Sequence, residues 1–386
     1  MKKLIVSSIR KMDSSALERY WWDKITSASA FVDATVTALR ECKMPVLLVP
    51  NDLPWRNSMR YVMQEHVMAD RSRLCVETID VFDKNKNNLA PGAFLLKVWK
   101  DDTYRRSSRL TIQQHILNNN LMQGKLLWIK GLSEKNVDQW LGFCNGFKID
   151  QRERGMIVVE IPFDKDLSRY ENLKAVQYES FIRDYSVQLF IEYVLDDKGY
   201  DNRWGNYLAM LISTLCKKDV EIACRLAQNY NLKVCRIDEA LRNISVDKKF
   251  ARRGCSEDHI LNLIRNKKTE KIDRLIWTAQ MQVLFPMMEI ERVKWVERYF
   301  AEIESVIETR GITVVGDNAW IENPYEAELK HLNELYKRGD LDKVQDEKRK
   351  NRLKLMYDCR NDLAHLHICS HEKVYALLNA QFEDFF

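Results

Sequence analysis

The sequence predicts a mixed architecture, an N-terminal α/β domain with a parallel sheet followed by a helical middle and a C-terminal helical bundle. Two observations support this. Short, continuous apolar runs are confined to the first 165 or so residues, whereas later apolar residues recur at helical spacing. In addition, the 386 residues include only 12 Gly and 7 Pro, which leaves little material for a turn-rich β-sandwich.

The apolar runs of the first domain are the right length for buried strands. Runs without alternation, separated by helix-compatible segments, are typical of parallel strands that are covered on both faces. The predicted strands are MPVLLVP (44–50), FLLKVW (94–99), KLLWIKGL (125–132) and MIVVEIPF (156–163), with RLCVETIDVF (73–82) as a further strand. The predicted helices between them include 55–69 and 108–121, and the whole domain is assigned to residues 1–168.

The first predicted strand does not lead into a phosphate-binding loop. A P-loop uses glycine-borne amides and a lysine to hold phosphates, but LLVPNDLPWRNSMRYVM (47–63) contains neither glycine nor lysine. Pro50 and Pro54 also remove amide donors. The order of strand, loop and helix resembles a degenerate P-loop ATPase of the AAA+ or STAND kind over about residues 15–165. We therefore expect no NTP hydrolysis and no cofactor.

Residues 169–270 are predicted to form a helical adaptor, with a winged-helix arrangement as one form of it. In 205–230, leucine and isoleucine recur at helical spacing. The segments DKKFARRG (247–254) and RNKKTEK (265–271) are basic, and Arg252 and Arg253 are candidate RNA contacts. Solvated loops without function are the simpler interpretation of each basic segment.

Residues 271–386 are predicted to form a helical bundle. Ile272, Leu275, Ile276, Ala279 and Val283 share one helical face. Pro286 is then expected to interrupt or kink this helix. A charged helix leads into the last segment, CRNDLAHLHICSH (359–371), which holds three of the seven histidines of the chain.

Composition limits the compartment more than the function. The net charge is +5 on 61 basic and 56 acidic residues, which permits a polyanionic partner without requiring one. Nine scattered cysteines without a C-x-x-C pair indicate reduced thiols. The N-terminal apolar run is too short for a signal peptide, and no stretch approaches the ~20 apolar residues of a membrane span. We therefore expect a cytoplasmic protein without membrane contact.

The segment RNDLAH (360–365) has the form R-N-x-x-A-H. Asn361 and His365 stand four residues apart, so on a helix they share a face and the amide can orient the imidazole. Arg360 is about 140° away from His365 on an ideal helix. The two converge best in a groove between helices, or where the helix ends near His365, or across a symmetry axis.

Pattern, position and helical context together resemble the nuclease motif of the HEPN superfamily over roughly residues 271–386. The resemblance implies a metal-independent endoribonuclease in which the RNA 2′-hydroxyl attacks the adjacent phosphate. It further implies that His365 is the general base or acid, that Arg360 holds the phosphate, and that Asn361 orients the imidazole or touches the phosphate. An imidazole, with an ordinary pKa of about 6.5, suits proton transfer at neutral pH.

The resemblance also bears on partners and role. HEPN relatives build a composite site as homodimers, and a sensor-like module joined to an RNA-cutting bundle resembles bacterial defence or toxin effectors. An RNA substrate, a homodimer through the C-terminal bundle and a protein partner or antitoxin are therefore expected. The alternative is a non-catalytic HEPN scaffold or regulatory subunit that dimerises and docks partner proteins.

The remaining histidines of the cluster allow a second interpretation. H-x-H-x-C-x-H offers zinc ligands, but alternate residues diverge on a helix, which is the conformation expected for this segment. We therefore predict no metal site. His367 and His371 are instead candidate RNA contacts, with simple surface placement as the alternative. The tryptophans at 21, 22, 128, 140, 277 and 295 lie in apolar runs and are predicted to be core residues rather than RNA-stacking platforms.

Overall fold

The computed structural model describes residues 14–69, 75–84, 89–105, 109–148, 155–251, 253–254, 256–313, 320–343 and 346–386. The chain divides into two compact units, Met1–Ser186 and Val187–Phe386. In the part of the chain that the structure describes, no helix is long and apolar enough to cross a bilayer.

The first unit is built on a five-stranded sheet in which all pairings are parallel. The strands are β1 (Met44–Leu48), β2 (Cys75–Asp80), β3 (Lys125–Lys130), β4 (Met156–Ile161) and β5 (Leu173–Gln177), in the spatial order β2-β3-β4-β1-β5. Val46 lies beside Val159 on one side and Ala175 on the other. Strands lie within the predicted segments 44–50, 73–82, 125–132 and 156–163, and the parallel α/β character of this region is confirmed. Of the segment 73–82, residues 73–74 lie outside the described residues, and Val81 and Phe82 begin the helix Val81–Lys84 instead of ending the strand.

Burial explains which runs became central strands. All residues of β1 and β4 are buried, and β3 is buried except at its two terminal lysines. Helices cover such strands on both faces, so apolar residues occur without alternation. The edge strand β2 is largely accessible and carries alternating residues instead.

The helices of the first unit enclose this sheet. They are α1 (Ser14–Lys24), α2 (Thr26–Arg40), α3 (Arg56–Ala69), α4 (Val81–Lys84), α5 (Pro91–Val98), α6 (Ile112–Asn118), α7 (Val137–Asn145) and α8 (Tyr178–Phe181). The predicted helices at 55–69 and 108–121 correspond to α3 and α6. The tryptophans at 21, 22, 128 and 140 are at most 1% exposed, as predicted for core residues.

The predicted strand at 94–99 is wrong, because these residues belong to helix α5 and its C-cap. Pro91 occupies the first turn, where its fixed φ and missing N–H favour helix initiation. Phe94, Leu95 and Leu96 are all buried, so the helix is apolar on nearly every side. A short apolar run of this kind does not distinguish a buried helix from a buried strand.

Strand β5 shows that the helical interpretation of the residues from 170 onward is wrong at 173–177. Its five residues pair in register with the whole of β1, from Met44 beside Leu173 to Leu48 beside Gln177. The sheet therefore extends past the boundary predicted at residue 168. The first compact unit ends at Ser186 for this reason.

The second unit is helical. Its helices are α9 (Asp184–Asp196, beginning just before the unit boundary), α10 (Asn202–Cys216), α11 (Val220–Asn229), α12 (Ile237–Val246), α13 (Ile260–Arg265), α14 (Thr269–Arg298), α15 (Phe300–Arg310), α16 (Leu329–Arg338), α17 (Glu347–Ala364) and α18 (His371–Leu378). The predicted helical run 205–230 is split at Lys217, which has φ +49°. Helix α14 continues through Pro286 without interruption.

From residue 187 on, the segments predicted as adaptor and bundle lie within this one unit. Arg203 and Trp204 of α10 donate hydrogen bonds to the carbonyl of Ala380 and to Asn379 Oδ1, both at 2.8 Å. Among the described residues of 187–386, the only β-pairing is a single bridge between Thr313 and Trp320. Between residues 187 and 270, the described residues therefore contain no strand of the kind that a winged-helix arrangement needs, and β5 belongs to the sheet of the first unit.

Candidate active site at the end of helix α17

Helix α17, which carries the R-N-x-x-A-H residues, is anchored by a buried ion pair. Arg352 binds Glu291 of α14 through two hydrogen bonds of 2.8 and 2.7 Å, and both side chains are at most 4% exposed. The same guanidinium donates to the carbonyls of Leu377 and Ala380 at 3.0 and 3.2 Å. Because the planar fork satisfies several acceptors at once, α17 is fixed against both α14 and the C-terminal segment.

The helix ends at the motif. Ala364 is its last residue and His365 is the C-cap, with φ −98° and ψ 19°. Leu366 follows with φ +63°, in the left-handed region. The amides of His367 and Leu366 donate to the carbonyls of Asp362 and Leu363 at 2.8 and 3.2 Å, which is the Schellman pattern.

The helical conformation expected for residues 365–371 is therefore wrong, since residues 365–370 form a turn and loop before α18 begins at His371. The physical cause is local. Once Leu366 adopts a positive φ, the next amides bond backwards and the α-helical ladder cannot continue.

The base of this loop is held by side chains from α14 and α18. Trp277 Nε1 donates to the Leu363 carbonyl at 2.8 Å. Gln280 accepts from the Cys369 amide at 2.8 Å and donates to its carbonyl at 3.0 Å, as a neighbouring strand would. Lys373 pairs with Asp362 at 2.5 Å. These contacts fix both ends of the loop.

His365 itself points its imidazole into an accessible position. Its residue is exposed, and no hydrogen bond or ion pair of the ring occurs with any described residue. Its backbone amide donates to the Asn361 carbonyl at 3.0 Å. Within the described chain no hydrogen bond joins the half-buried Asn361 amide to the imidazole, so the expected orienting contact is absent from this state.

Arg360 faces a cavity of about 280 Å³ next to the motif. The cavity is lined by α14, by the segment before α16 and by α17, and includes Phe285, Glu289, Arg292, Tyr325, Glu328 and Arg360. The Arg360 guanidinium lies 3.6 Å from Glu328 Oε2, beyond hydrogen-bond distance, and its side chain is 33% exposed. Arg360 is thus held loosely by a carboxylate that is itself 59% exposed.

Arg360 and His365 therefore stand at the same end of α17. Arg360 lines the cavity beside α14 and the start of α16, whereas His365 begins the exposed loop after the helix. Along an α-helix they are separated by about 7.5 Å of rise. Of the three arrangements expected from the sequence, the structure has the helix ending at His365 and a groove at Arg360.

Two of the four other candidate RNA contacts, Arg253 and His371, bind other groups of the protein. Arg253 pairs with Asp219 at 2.6 Å and with Glu221 at 3.1 Å, and its side chain is only 11% exposed. His371 Nε2 lies 3.0 Å from the Lys233 carbonyl. Arg253 would have to give up both ion pairs to contact RNA. His367 is exposed beside His365, and Arg252 lies outside the described residues.

No group of three or more His, Cys, Asp or Glu side chains suited to a metal is found among the described residues. Cys369 is buried, with its Sγ 3.6 Å from the Cys359 carbonyl. A hydrogen bond with Cys359, together with burial, raises the pKa of the Cys369 thiol. The thiolate form that binds metals is therefore disfavoured.

The sequence analysis did not predict that three further residues, Trp277, Gln280 and Glu328, shape the site. Gln280 had a readable signal, because it lies on the same apolar helical face as Ile276 and is 2% exposed. Trp277 was predicted to be a core residue and is half-buried, with its indole N–H bonded to the motif helix. Glu328 had no signal, since it lies about 30 residues before Arg360 in a charged segment.

The carboxyl edge of the sheet in the first unit holds a different cluster. In open parallel sheets this edge is the usual ligand crevice. Here Glu160 of β4 binds Arg56 and Arg60 of α3, at 2.5 and 2.8 Å, and accepts from Trp128 Nε1 at 3.0 Å. Arg56 also donates to the carbonyls of Pro50 and Asn51. The loop after β1 is thus held by side chains of the protein itself.

No model of a known protein family matches this chain, and no curated protein sequence is significantly similar to it.

Proposed function

We propose that the chain is a metal-independent endoribonuclease of the HEPN kind, with its site at the end of α17. The observation that supports this best is the state of His365, an exposed imidazole without a partner among the described residues, on a loop fixed by Trp277 and Gln280. Proton transfer between a side chain and a large substrate requires an accessible acid–base group on a firmly positioned backbone. Arg360 stands at the same helix end with an accessible guanidinium.

The proposed reaction is an internal transesterification of RNA. His365 takes the proton of a 2′-hydroxyl, the 2′-oxygen forms a bond to phosphorus, and the bond from phosphorus to the 5′-oxygen breaks. A proton is delivered to the departing 5′-oxygen, which leaves a 2′,3′-cyclic phosphate and a 5′-hydroxyl. Arg360 binds the non-bridging oxygens, where negative charge develops. Asn361 is proposed to orient the imidazole or touch the phosphate once RNA is bound.

The separation of Arg360, which lines the cavity, from His365, which does not, supports a homodimer as the active form. Two copies of the helix end, related by a twofold axis, place an arginine of one protomer beside the histidine of the other. Such a composite site also supplies two imidazoles, so that one accepts the proton and the second donates one.

The first experiment is incubation of the purified protein with total RNA in EDTA, followed by mapping of the RNA ends. Cyclic phosphate and 5′-hydroxyl ends are expected. Intact RNA under conditions in which the protein is folded and dimeric would count against the enzyme.

The dimer is tested by mixing two inactive variants, Arg360→Ala and His365→Ala. In mixed dimers the intact arginine of one chain meets the intact histidine of the other, so partial activity should return. Inactive mixtures that nevertheless form heterodimers would show that the two groups work within one chain. A cleaving monomer in light scattering would remove the dimer from the mechanism.

One observation favours a second candidate function, a non-catalytic scaffold or regulatory subunit. Arg360 already has a carboxylate neighbour, Glu328, so the guanidinium has a counter-charge without RNA. In this alternative the helical unit dimerises and docks proteins, and the Arg360→Ala variant changes assembly rather than RNA cleavage.

For the enzyme, we propose an effector role in bacterial defence or toxicity. The first unit would then be a degenerate P-loop sensor, and a protein partner or antitoxin would restrain the nuclease.

A further inference from the structure

The cavity beside Arg360 has the features of a subsite for a planar ring. It is bounded by three elements, with Phe285 of α14 on one wall and Tyr325, just before α16, on another. Tyr325 is 48% exposed, although it is a large aromatic residue. Unpaired RNA bases stack on exposed aromatic rings of this kind, and the stacking tolerates any base because each has a π-face.

The tyrosine is held in place rather than free to turn away. Arg292 of α14 donates to the carbonyls of Tyr325 and Ala327 at 3.1 and 3.0 Å. The Tyr325 ring also packs against Phe300, with centroids 5.7 Å apart and planes inclined by 56°. A pre-positioned ring loses little freedom when a base stacks on it, which favours binding.

The carboxylates of the cavity are not equivalent. Glu289 binds Arg292 Nε at 2.7 Å, and Glu326 accepts from the Glu322 amide at 3.1 Å. Glu328 is different, because its neighbour Arg360 is 3.6 Å away and its side chain is 59% exposed. Glu328 is the N-cap of α16, and its backbone amide donates to His331 Nδ1 at 3.1 Å, while its carboxylate has lone pairs for further donors.

We infer that this cavity binds an unpaired RNA base next to the scissile phosphate, and that Glu328 selects guanine. The inference rests on the proposed nuclease function, because Arg360 is assigned the phosphate there. An ionised carboxylate only accepts hydrogen bonds. Guanine presents two adjacent donors on its Watson–Crick edge, N1–H and N2–H, and can bind both carboxylate oxygens at once. Uracil presents a single donor, N3–H, between two carbonyl acceptors that a carboxylate repels. RNA phosphate on Arg360 leaves Glu328 free to face the base.

The test begins with binding, so that it does not depend on cleavage. Full-length His365→Ala protein is titrated with two fluorescein-labelled oligonucleotides, one of uridines only and one with a single guanosine. We expect the guanosine oligonucleotide to bind at least about fivefold more tightly. Glu328→Gln should reduce that ratio towards one, while the matched control Glu347→Gln, about 20 Å away along α17, should preserve it.

The stacking wall is tested in the same assay. Tyr325→Ala should weaken binding of both oligonucleotides by about tenfold, whereas Tyr325→Phe retains the ring and should bind like the parent. Tyr185→Ala, at an exposed tyrosine of the first unit, is the control. Thermal melting of each variant confirms that it is folded.

The outcomes separate the two proposals. Equal affinity for both oligonucleotides, or a guanosine preference that survives in Glu328→Gln, would overturn the base subsite whether or not the wild type cleaves RNA. A preference that depends on Glu328 in a protein that leaves RNA intact would keep the subsite and remove the nuclease. If the wild type cleaves, guanosine should be enriched beside its cut sites, and Glu328→Gln should abolish the enrichment.

Discussion

Two arginine-bearing clusters of this protein, one in each unit, differ in how completely their charges are satisfied. At the carboxyl edge of the sheet, Arg56 and Arg60 share the buried carboxylate of Glu160. At the end of α17, Arg360 has one loose carboxylate neighbour and His365 has no ring partner within the described chain. A charge that is paired and buried holds a fold together, whereas one that is accessible and loosely held is available to a ligand.

The same contrast explains why a phosphate is proposed at only one of these places. A phosphate at Arg56 would have to displace Glu160, which is 2% exposed and hydrogen-bonded to both arginines and to Trp128. A phosphate at Arg360 would displace or join a carboxylate 3.6 Å away that is mostly in water. Exposed ion pairs contribute about 0–1 kcal/mol, so the second exchange costs little.

The largest effect is expected from removing the accessible groups. His365→Ala and Arg360→Ala should each lower the RNA cleavage rate by about 100-fold or more, because one removes the acid–base group and the other the phosphate contact. The melting temperature should stay nearly unchanged, since neither side chain is in the core. Cleavage assays on size-purified dimers check this, with Glu347→Gln, an exposed position at the other end of α17, as the control. Full activity in either variant would exclude the motif from the reaction.

The next largest effect concerns stability and reverses the comparison. Glu160→Gln keeps the shape of the side chain but removes the buried carboxylate that binds the half-buried guanidinium groups of Arg56 and Arg60. Unfolding of the first unit should therefore require about 3 kcal/mol less. Hydrogen exchange of β1 and β4 amides measures this in the unit itself. Asp138→Asn is the control, because Asp138 also binds two cations, Lys165 and Arg169, but is half exposed. Equal losses of stability in Glu160→Gln and Asp138→Asn would mean that burial does not determine how much an ion pair contributes to stability.

Acid should reproduce the Glu160 effect in the wild type. Burial acts to raise the pKa of Glu160, but the hydrogen bond from Arg60 and the charges of Arg56 and Arg60 outweigh it and hold the pKa below its ordinary 4.5. A carboxylate with a lowered pKa stabilises the fold above its unfolded pKa, and this contribution is lost as the pH falls through the folded value. The stability gap between wild type and Glu160→Gln should therefore be constant near neutrality and shrink below pH 4.5. Urea unfolding at stepped pH follows the gap, and a gap that widens in acid would contradict the assignment.

The sequence predicted the strands well where burial of both faces produces a continuous apolar run. Runs of apolar residues at β1, β3 and β4 arise because both faces are covered, and this requirement is visible without the structure. The same kind of apolar run led to a wrong strand prediction at Phe94–Leu96, where a helix is buried on most sides. Strand β5 was missed because LKAVQ is short and its pairing with β1 is set by residues far away in the chain.

For the site, the sequence predicted the motif residues but not their surroundings. The sequence showed the spacing of Arg360, Asn361 and His365. It also predicted a helix end near His365 as one place where these residues could lie. The end of helix α17 depends on the positive φ of Leu366, and a leucine in the sequence gives no signal for that conformation. Glu328 and Tyr325 reach Arg360 through tertiary packing, and no local pattern predicts such contacts.

The smallest expected effect tests that unusual helix end. Leucine in the left-handed region costs roughly 1–2 kcal/mol, whereas glycine adopts it freely but loses more chain entropy on folding. Leu366 is also 71% exposed, so little packing is lost when its side chain is removed. Leu366→Gly should therefore stabilise the helical unit by about 0.5 kcal/mol, a rise of roughly 1–2 °C in melting temperature. Leu366→Ala is the matched control, because it removes the same side chain but keeps the cost of the positive φ, and it should show no gain. A melting temperature of Leu366→Gly at or below that of Leu366→Ala would mean that residue 366 is not left-handed in solution, and the loop that presents His365 would then need a different origin.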